Sequence, residues 1–162
     1  MTTETPPFTR IGIMGRANKP TILQTIYQLC NFFHAKRMPV VMDYQTLRLP
    51  QLDLTKVGKI DGVERERLGG MCDLVIVVGG DGSLLHAAQV LAQHNVPVLG
   101  INRGRLGFLA DVNPDELEPR LQQILRGDYQ LDQRFLLKME IRQGSHVIYE
   151  DMALNDIVLH AG

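Results

Sequence analysis

The chain begins with an apolar run that leads into a helical pattern. Residues 10–15 are mostly apolar and end in glycine, which is typical of a buried strand followed by a turn. Pro20 suits the first turn of a helix. Apolar side chains then recur at three- and four-residue spacing, which predicts an amphipathic helix that ends near Lys36 or Arg37, where cations suit a helix C-terminus.

The middle of the chain repeats this alternation. Residues 40–42 predict a second short strand, whereas 43–70 has no steady period and is interpreted as loop with one short helix. Residues 73–78 are apolar without alternation, as expected for a parallel strand covered on both faces. A helical stripe over 84–92 and an apolar run over 97–101 follow. Strands that alternate with helices predict an α/β fold with a doubly wound, mostly parallel sheet of the Rossmann-like kind.

A last helix precedes a change of pattern. Asn113 and Pro114, with Glu116 three residues after the capping Asn, predict a helix start, and Gly127 predicts the stop after residue 126. Beyond Gly127, apolar and polar positions alternate, which predicts half-buried strands instead of helices.

This change of pattern predicts two domains. We interpret 1–127 as an α/β domain and 128–162 as the first strands of a truncated antiparallel β domain, with a turn over 143–146 and a further extended run over 153–160. Two or three strands are too few for a self-sufficient sheet. We therefore expect the chain to be the front part of a longer protein.

Composition narrows the class of protein. Lys and Arg number 17 against 18 Asp and Glu, and this net charge of −1 disfavours partners bound through bulk positive charge, such as nucleic acid or a membrane surface. Hydrophobic residues at 44% argue against disorder. The sequence shows no signal peptide and no apolar run near the ~18 residues of a membrane span. Cys30 and Cys72 are too few for a disulfide framework and are expected to be inert core thiols. We expect a soluble, cytoplasmic protein.

A glycine-rich segment with one acid follows the clearest strand: Gly79, Gly80, Asp81, Gly82 and Ser83. Glycines let a ligand approach the backbone, and N–H groups at a helix N-terminus suit phosphates. A carboxylate repels phosphate, so Asp81 is better explained if it takes a proton from a hydroxyl or holds Mg²⁺, as in phosphoryl transfer. The alternative is that Asp81 is an ordinary turn former. The sequence lacks the P-loop and dinucleotide fingerprints, which disfavours an ordinary Rossmann dehydrogenase.

Three motifs in order resemble one kinase family. The GGDG segment after a buried strand resembles a superfamily of NAD kinases, diacylglycerol-type lipid kinases and phosphofructokinases. Residues 100–109 (GINRGRLGFL) resemble the second NAD kinase signature, and 153–156 (ALND) resemble the Asn-Glu/Asp motif of that family. The Gly-Thr-x-Asn-Asp segment of lipid kinases is not found. The resemblance covers 10–162 and is closest to the bacterial form, but the family's TPTGSTAY-like segment does not occur here.

The resemblance implies an activity. It implies transfer of the γ-phosphoryl group of ATP to the 2′-hydroxyl of the adenosine ribose of NAD, which yields NADP, with Asp81 as the catalytic base. NAD and ATP are then the substrates and partners, and Mg²⁺ arrives with ATP, so no site built from protein ligands alone is expected for a metal. The complete enzyme is expected to be a homo-oligomer, and residues 1–162 by themselves are expected to be inactive. The alternatives are another GGDG kinase acting on a lipid or sugar hydroxyl, or a non-catalytic binding domain.

The resemblance also implies which residues bind the nucleotides. They are Gly79, Gly80, Gly82, His86, Phe108, Asn155 and Asp156. The alternatives are that Phe108 is a plain core aromatic and that His86 is an uncommitted surface histidine. Arg103 and Arg105 are candidates for phosphate contacts or for solvated charges. The remaining histidines have no metal-ligand spacing and are interpreted as structural.

Overall fold

A computed structural model describes residues 7–16, 19–102, 112–154 and 157. The chain divides into two compact units, Met1–Gln130 and Leu131–Gly162. The sequence places this division after Gly127, at the change from helical to alternating pattern.

The first unit is built from parallel strands and the helices between them. Its strands are β1 (Ile11–Gly15), β2 (Val40–Asp43), β3 (Asp61–Val63), β4 (Leu74–Gly79) and β5 (Val98–Asn102). Its α-helices are α1 (Pro20–Ala35), α2 (Tyr44–Leu47), α3 (Leu54–Val57), α4 (Leu68–Met71), α5 (Asp81–Leu91) and α6 (Leu117–Leu125). Short 3-10 helices span Arg65–Arg67, Ala92–His94 and Pro114–Glu116.

The five strands form one parallel sheet in the order β3-β2-β1-β4-β5. The chain moves from β1 outward to β2 and β3, then crosses back and adds β4 and β5 on the other side of β1. In open α/β sheets, ligands bind outside the carboxyl ends of the strands where the order reverses. That point lies here between Gly15, which ends β1, and Gly79, which ends β4.

Each face of the sheet has its own apolar core. Successive strand side chains point to opposite faces, so Ile11 and Ile13 belong to the core that includes α1 and α6, whereas Met14 belongs to the core that includes α4 and α5. In β4, Ile76 and Val77 divide in the same way. Because helices cover both faces, the central strands β1 and β4 are buried along their whole length, and the predicted doubly wound sheet is confirmed.

Polar contacts join the amino ends of the strands. The carboxylate of Asp73 accepts hydrogen bonds from the Thr9 N–H at 2.8 Å, the Thr9 hydroxyl at 2.7 Å and the Arg10 N–H at 3.0 Å. Arg10 in turn donates to Asp61 at the start of β3, over 3.0 Å. These contacts fix the residues before β1 to Asp73, just before β4, and to Asp61 in β3, at the edge of the sheet opposite the switch point.

The interpretation of 43–70 as loop with one short helix is wrong. This stretch contains β3, one 3-10 helix and α2, α3 and α4, none longer than four residues. Elements this short contain barely one helical turn, so they leave no period in the sequence. Tertiary contacts form them instead: β3 pairs with β2 in the register Val41↔Asp61.

The predicted helix after Asn113 forms in two pieces. The Asn113 side chain accepts the Asp115 N–H at 3.2 Å and caps the 3-10 helix, and α6 then begins at Leu117. Gly127 follows the helix with a φ of +83°. A left-handed φ is the usual helix stop and favours glycine.

The second unit contains a β-hairpin. Strands β6 (Leu137–Gln143) and β7 (His146–Ala153) pair antiparallel, with Gly144 at a φ of +61° in the turn and a register irregularity between Ile141 and Arg142. The expected half-buried alternation is weak, since β7 is almost wholly exposed. Large apolar side chains exposed on the hairpin are Ile141, Val147, Ile148, Tyr149 and Met152.

Among the described residues, no helix combines the length and apolarity that crossing a bilayer requires.

Candidate functional site

The junction between β4 and α5 carries the glycine-rich segment. Gly79 is the last strand residue, and Gly80 is the N-cap of α5. The N–H groups of Ser83 and Leu84 donate to the Gly80 carbonyl at 2.9 Å and 3.3 Å, which closes the first turn. A Cβ added at Gly79 would lie 2.7 Å from the Ser83 Cβ, so this tight turn requires glycine. The helix therefore starts directly at the strand end, with its positive N-terminus at the switch point.

The other two glycines of the segment have no such packing reason. A Cβ added at Gly80 or Gly82 would meet no described atom within 4 Å. Gly80 has a φ of −111°, which other residues adopt readily, and Gly82 lies inside α5, where glycine is a poor helix former. Neither the backbone conformation nor packing against the described residues requires glycine at these positions, which leaves space for a ligand close to the main chain.

Asp81 is the first residue of α5 and is partly exposed. It is not in an isolated turn, so turn formation does not account for it. An acid in the first turn of a helix interacts favourably with the helix dipole. Stabilisation of α5 is therefore the structural alternative to a catalytic role for Asp81. The position at the carboxyl end of a central strand, beside the switch point, fits either role.

A small crevice opens at the switch point. Its lining residues come from the end of β1, from the 3-10 helix after β3, from β4 and from the first turns of α5: Met14, Gly15, Arg16, Arg65, Val77, Ser83 and His86. Two arginines and a histidine thus lie together with no carboxylate among the described lining residues.

Arg65 is held in place by a buried carboxylate. Its Nε donates to Asp43 Oδ2 at 2.7 Å, and its Nη2 lies 2.6 Å from the same oxygen. The Thr46 hydroxyl donates to the other oxygen, Asp43 Oδ1, and accepts the Gly15 N–H at 2.8 Å. Asp43 and Thr46 are fully buried, and Arg65 is 5% exposed. Removing one partner of such an ion pair costs about 3–5 kcal/mol, so the network firmly ties the ends of β1 and β2 to the crevice.

Sequence reasoning missed Asp43, Thr46 and Arg65 because they fall in the stretch interpreted as loop. A signal was present. Asp43 follows directly on the apolar run 40–42, and an acid at the carboxyl end of a buried strand lies at the edge where α/β proteins bind ligands.

His86 lies in the second turn of α5, where it lines the crevice, and it is partly exposed. Burial lowers the pKa of His86 below its usual value, and the positive charges of Arg65 and Arg16 lower it further, while Asp43 and Glu66 act in the opposite sense. At neutral pH its imidazole is therefore neutral to a greater extent than that of an ordinary histidine. The basic charge of the crevice comes from the arginines.

Several candidate residues lie outside the described part of the chain. These are Phe108, Asn155 and Asp156, together with Arg103 and Arg105. Their roles stay predictions.

The remaining candidates have structural contacts. His34 Nε2 lies 3.1 Å from the Lys59 carbonyl oxygen, and His94 Nε2 lies 2.6 Å from that of Glu66. Burial raises the pKa of the Cys30 and Cys72 thiols to about 12, which makes both poor nucleophiles. Within the described residues, no three His, Cys, Asp or Glu side chains are grouped to hold a metal ion.

Comparison with known proteins identifies close relatives. A family model for the ATP-NAD kinase N-terminal domain matches residues 11–129. The NAD kinase of Psychrobacter arcticus is 58% identical over 157 residues, which are 97% of this chain and 48% of that protein. The NAD kinase of Acinetobacter baylyi is 44% identical over 155 residues, which are 96% and 49% of the two chains. This chain spans about half the length of the curated relatives it matches.

Solved structures share the fold at lower identity. Yeast NADH kinase complexed with NADH superposes with a TM-score of 0.77 at 19% identity, over 92% of this chain and 47% of the other. An NAD kinase from Archaeoglobus fulgidus in complex with ATP superposes with a TM-score of 0.51 at 18% identity, over 81% and 40%. Likeness at these identities shows a common fold.

Proposed function

The chain belongs to the NAD kinase family, and from this premise we propose that the complete protein containing it phosphorylates NAD. The γ-phosphoryl group of ATP passes to the 2′-hydroxyl of the adenosine ribose, and the products are NADP and ADP. The observation that carries the proposal is the β4–α5 junction, where open glycines and an acid meet a helix N-terminus at the switch point of a parallel sheet.

Asp81 is the proposed catalytic base. It accepts the proton of the 2′-hydroxyl, or orients that hydroxyl, as the oxygen attacks the γ-phosphorus. General bases must lie within hydrogen-bond reach of the proton they take. Asp81 is partly exposed at the start of α5, beside the carboxyl end of β4, where open α/β sheets bind ligands.

The glycines and His86 are the proposed contacts for nucleotide. Gly80 and Gly82 leave room for a ligand against the main chain, and Gly79 permits the tight turn that presents it. His86, largely neutral at neutral pH, serves as a hydrogen-bond partner. Phe108, Asn155 and Asp156 are proposed to contact NAD on the strength of their motifs alone.

Mg²⁺ is proposed to arrive with ATP. Magnesium ions commonly bind through phosphate oxygens with one or two carboxylates and keep several waters, so the ion needs no site built from protein ligands alone. Its chemistry would be to neutralise charge on the transferred phosphoryl group. We further propose a cytoplasmic homo-oligomer, in keeping with the family resemblance.

The direct test offers several acceptors to the complete protein. With ATP and Mg²⁺ present, we expect NADP to form from NAD, and no phosphorylation of diacylglycerol or sugar phosphates. An NAD analogue that lacks the 2′-hydroxyl on its adenosine ribose is the matched control and should not be phosphorylated. Phosphorylation of that analogue, or a preference for a lipid or sugar, would overturn the proposal.

A further inference from the structure

Helix α6 ends in a hydrogen-bonded stop. The N–H of Gly127 donates to the Ile124 carbonyl oxygen at 3.0 Å, and the N–H of Asp128 donates to the Gln123 carbonyl oxygen at the same distance. Together with the φ of +83° at Gly127, these two bonds form a Schellman motif. The chain therefore leaves α6 in a direction that its own backbone fixes.

Tyr129 follows this stop and stacks on Phe8. The ring centroids are 5.4 Å apart and the ring planes meet at 30°, a separation typical of aromatic pairs. Phe8 is 4% exposed and belongs to the core that includes α1 and α6, whereas Tyr129 is 37% exposed. Tyr129 thus covers this core from the outside, at the last residues of the first unit.

Phe8 is itself held by the amino edge of the sheet. The two residues that follow it, Thr9 and Arg10, donate their backbone N–H groups to the carboxylate of Asp73 at 2.8 Å and 3.0 Å. Because Phe8 directly precedes this clamp and is buried, its ring is a fixed support. The stack therefore ties the chain after α6 to the sheet through residues that are distant in sequence.

The connection beyond Tyr129 lacks such support. Residues 130–135 are exposed and belong to no helix or strand. The hydrogen bond described within this stretch is local, from Arg134 Nε to Asp132 Oδ2 at 2.8 Å. Strand β6 then begins at Leu137, in the second unit. Tyr129 is therefore the last residue before β6 for which a side-chain contact with the first unit is described.

We propose that Tyr129 is a positioning residue for the reaction, because its stack on Phe8 fixes the point from which the chain passes to the second unit. The inference rests on the proposed function, which assigns Asp81 in the first unit to the same NAD molecule as two residues in the range of the second, Asn155 and Asp156. A misplacement of ~1 Å between reacting groups can cost about 10²-fold in rate. A ring that anchors the connection therefore affects turnover without touching a substrate.

The test must separate positioning from simple stabilisation. Tyr129→Ala removes the ring, and Tyr129→Phe keeps it. Tyr44→Ala is the matched control, since Tyr44 is also 37% exposed but lies in α2, outside the connection. In the complete protein, we would measure the thermal unfolding midpoint and kcat/KM for NAD. Well below that midpoint, we would also measure the rate at which trypsin cleaves after Arg126, the exposed residue that precedes the Schellman glycine.

We expect Tyr129→Ala to lower kcat/KM for NAD by about tenfold or more, because the groups that act on NAD are no longer held in register. Trypsin should cleave this variant after Arg126 about two- to tenfold faster, the change in the locally open population when one aromatic pair is lost. Tyr129→Phe should match the wild type in both measurements. Tyr44→Ala should lower the unfolding midpoint and leave both measurements unchanged.

Unchanged kcat/KM in Tyr129→Ala, unchanged cleavage after Arg126, or an equal loss of activity in Tyr44→Ala would each overturn the proposal. If Tyr129→Ala does not fold, Tyr129→Leu decides by the same measurements, because leucine keeps apolar bulk and loses the stacked ring. A complete protein that makes no NADP would refute the proposed function. Cleavage after Arg126 would then decide by itself whether Tyr129 anchors the connection.

Discussion

The hydroxyl of Thr46 accepts the backbone N–H of Gly15 at 2.8 Å and donates to the carboxylate of Asp43. A single fully buried side chain thus links the last residue of β1 to the last residue of β2. The end of β1, which lines the crevice, is therefore held to the end of β2 by this link as well as by sheet hydrogen bonds.

Thr46→Val should destabilise the first unit. Valine has nearly the same shape, but it leaves the Gly15 N–H and one Asp43 oxygen without their partner in a dry site. We expect the free energy of unfolding to fall by about 1–3 kcal/mol, the cost of an unsatisfied buried polar group. Denaturant titration measures this. Thr21→Val, on the exposed side of α1, is the control and should stay within about 0.5 kcal/mol of the wild type.

Gly82→Ala should separate stability from function. No described atom lies within 4 Å of the new Cβ, and alanine favours the helix by about 0.5–1 kcal/mol. We therefore expect a higher unfolding midpoint together with weaker nucleotide binding, because the methyl group occupies the space left for the ligand. Gly79→Ala is the contrast: it should lower stability, since its Cβ would lie 2.7 Å from that of Ser83. Normal turnover in Gly82→Ala would show that the open space does not serve a ligand.

Asp81→Asn should lower kcat in the complete protein by about 10²–10⁴-fold, the usual contribution of general acid–base catalysis. NAD binding should survive better than turnover, because the amide is nearly isosteric with the carboxylate. Steady-state kinetics and equilibrium NAD binding measure the two effects separately. If turnover stayed near normal, Asp81 would be left with its role in the first turn of α5.

Asn155→Ala and Asp156→Ala should each weaken NAD binding by about 1–3 kcal/mol, the range for buried or charged hydrogen bonds. ATP affinity should change little. Neighbouring strand residues point to opposite faces, so both side chains can serve one pocket only if the strand is irregular near Asn155, as a bulge would make it. Both residues lie outside the described part of the chain. Normal NAD affinity in both variants would remove the pair from the site.

A protein of residues 1–162 alone should lack NAD kinase activity and should self-associate. Its second unit contains one described hairpin, and two-stranded hairpins are marginally stable in water. Apolar side chains such as Ile148, 61% exposed, lie on a hairpin whose strands pair only with each other among the described residues, and such edges favour association. Light scattering and an NADP assay against the complete protein test both statements. A monomeric fragment with ordinary turnover would contradict them.

The sequence predicts those helices and strands that are long enough to show a hydrophobic pattern. The strand before GGDG and the helix from Pro20 are confirmed within a residue or two. Most elements of three or four residues between Asp43 and Leu74 are not predicted, because contacts with residues distant in the chain stabilise them. The site divides in the same way: glycines and an acid in one segment can be recognised, whereas the pairing of Asp43 with Arg65 depends on tertiary contact across 22 residues.

The two edges of the sheet can accept substitutions under different constraints. At the amino edge, Asp73 binds the backbone of Thr9 and Arg10 and is not among the described residues that line the crevice. Substitutions of Asp73 should lower the free energy of unfolding, and the folded protein should keep its activity. At the carboxyl edge the reverse holds for Gly82. Selection for activity should therefore accept single changes at Asp73 and reject them at Gly82, and changes at the ion pair of Asp43 and Arg65 should occur at both positions together.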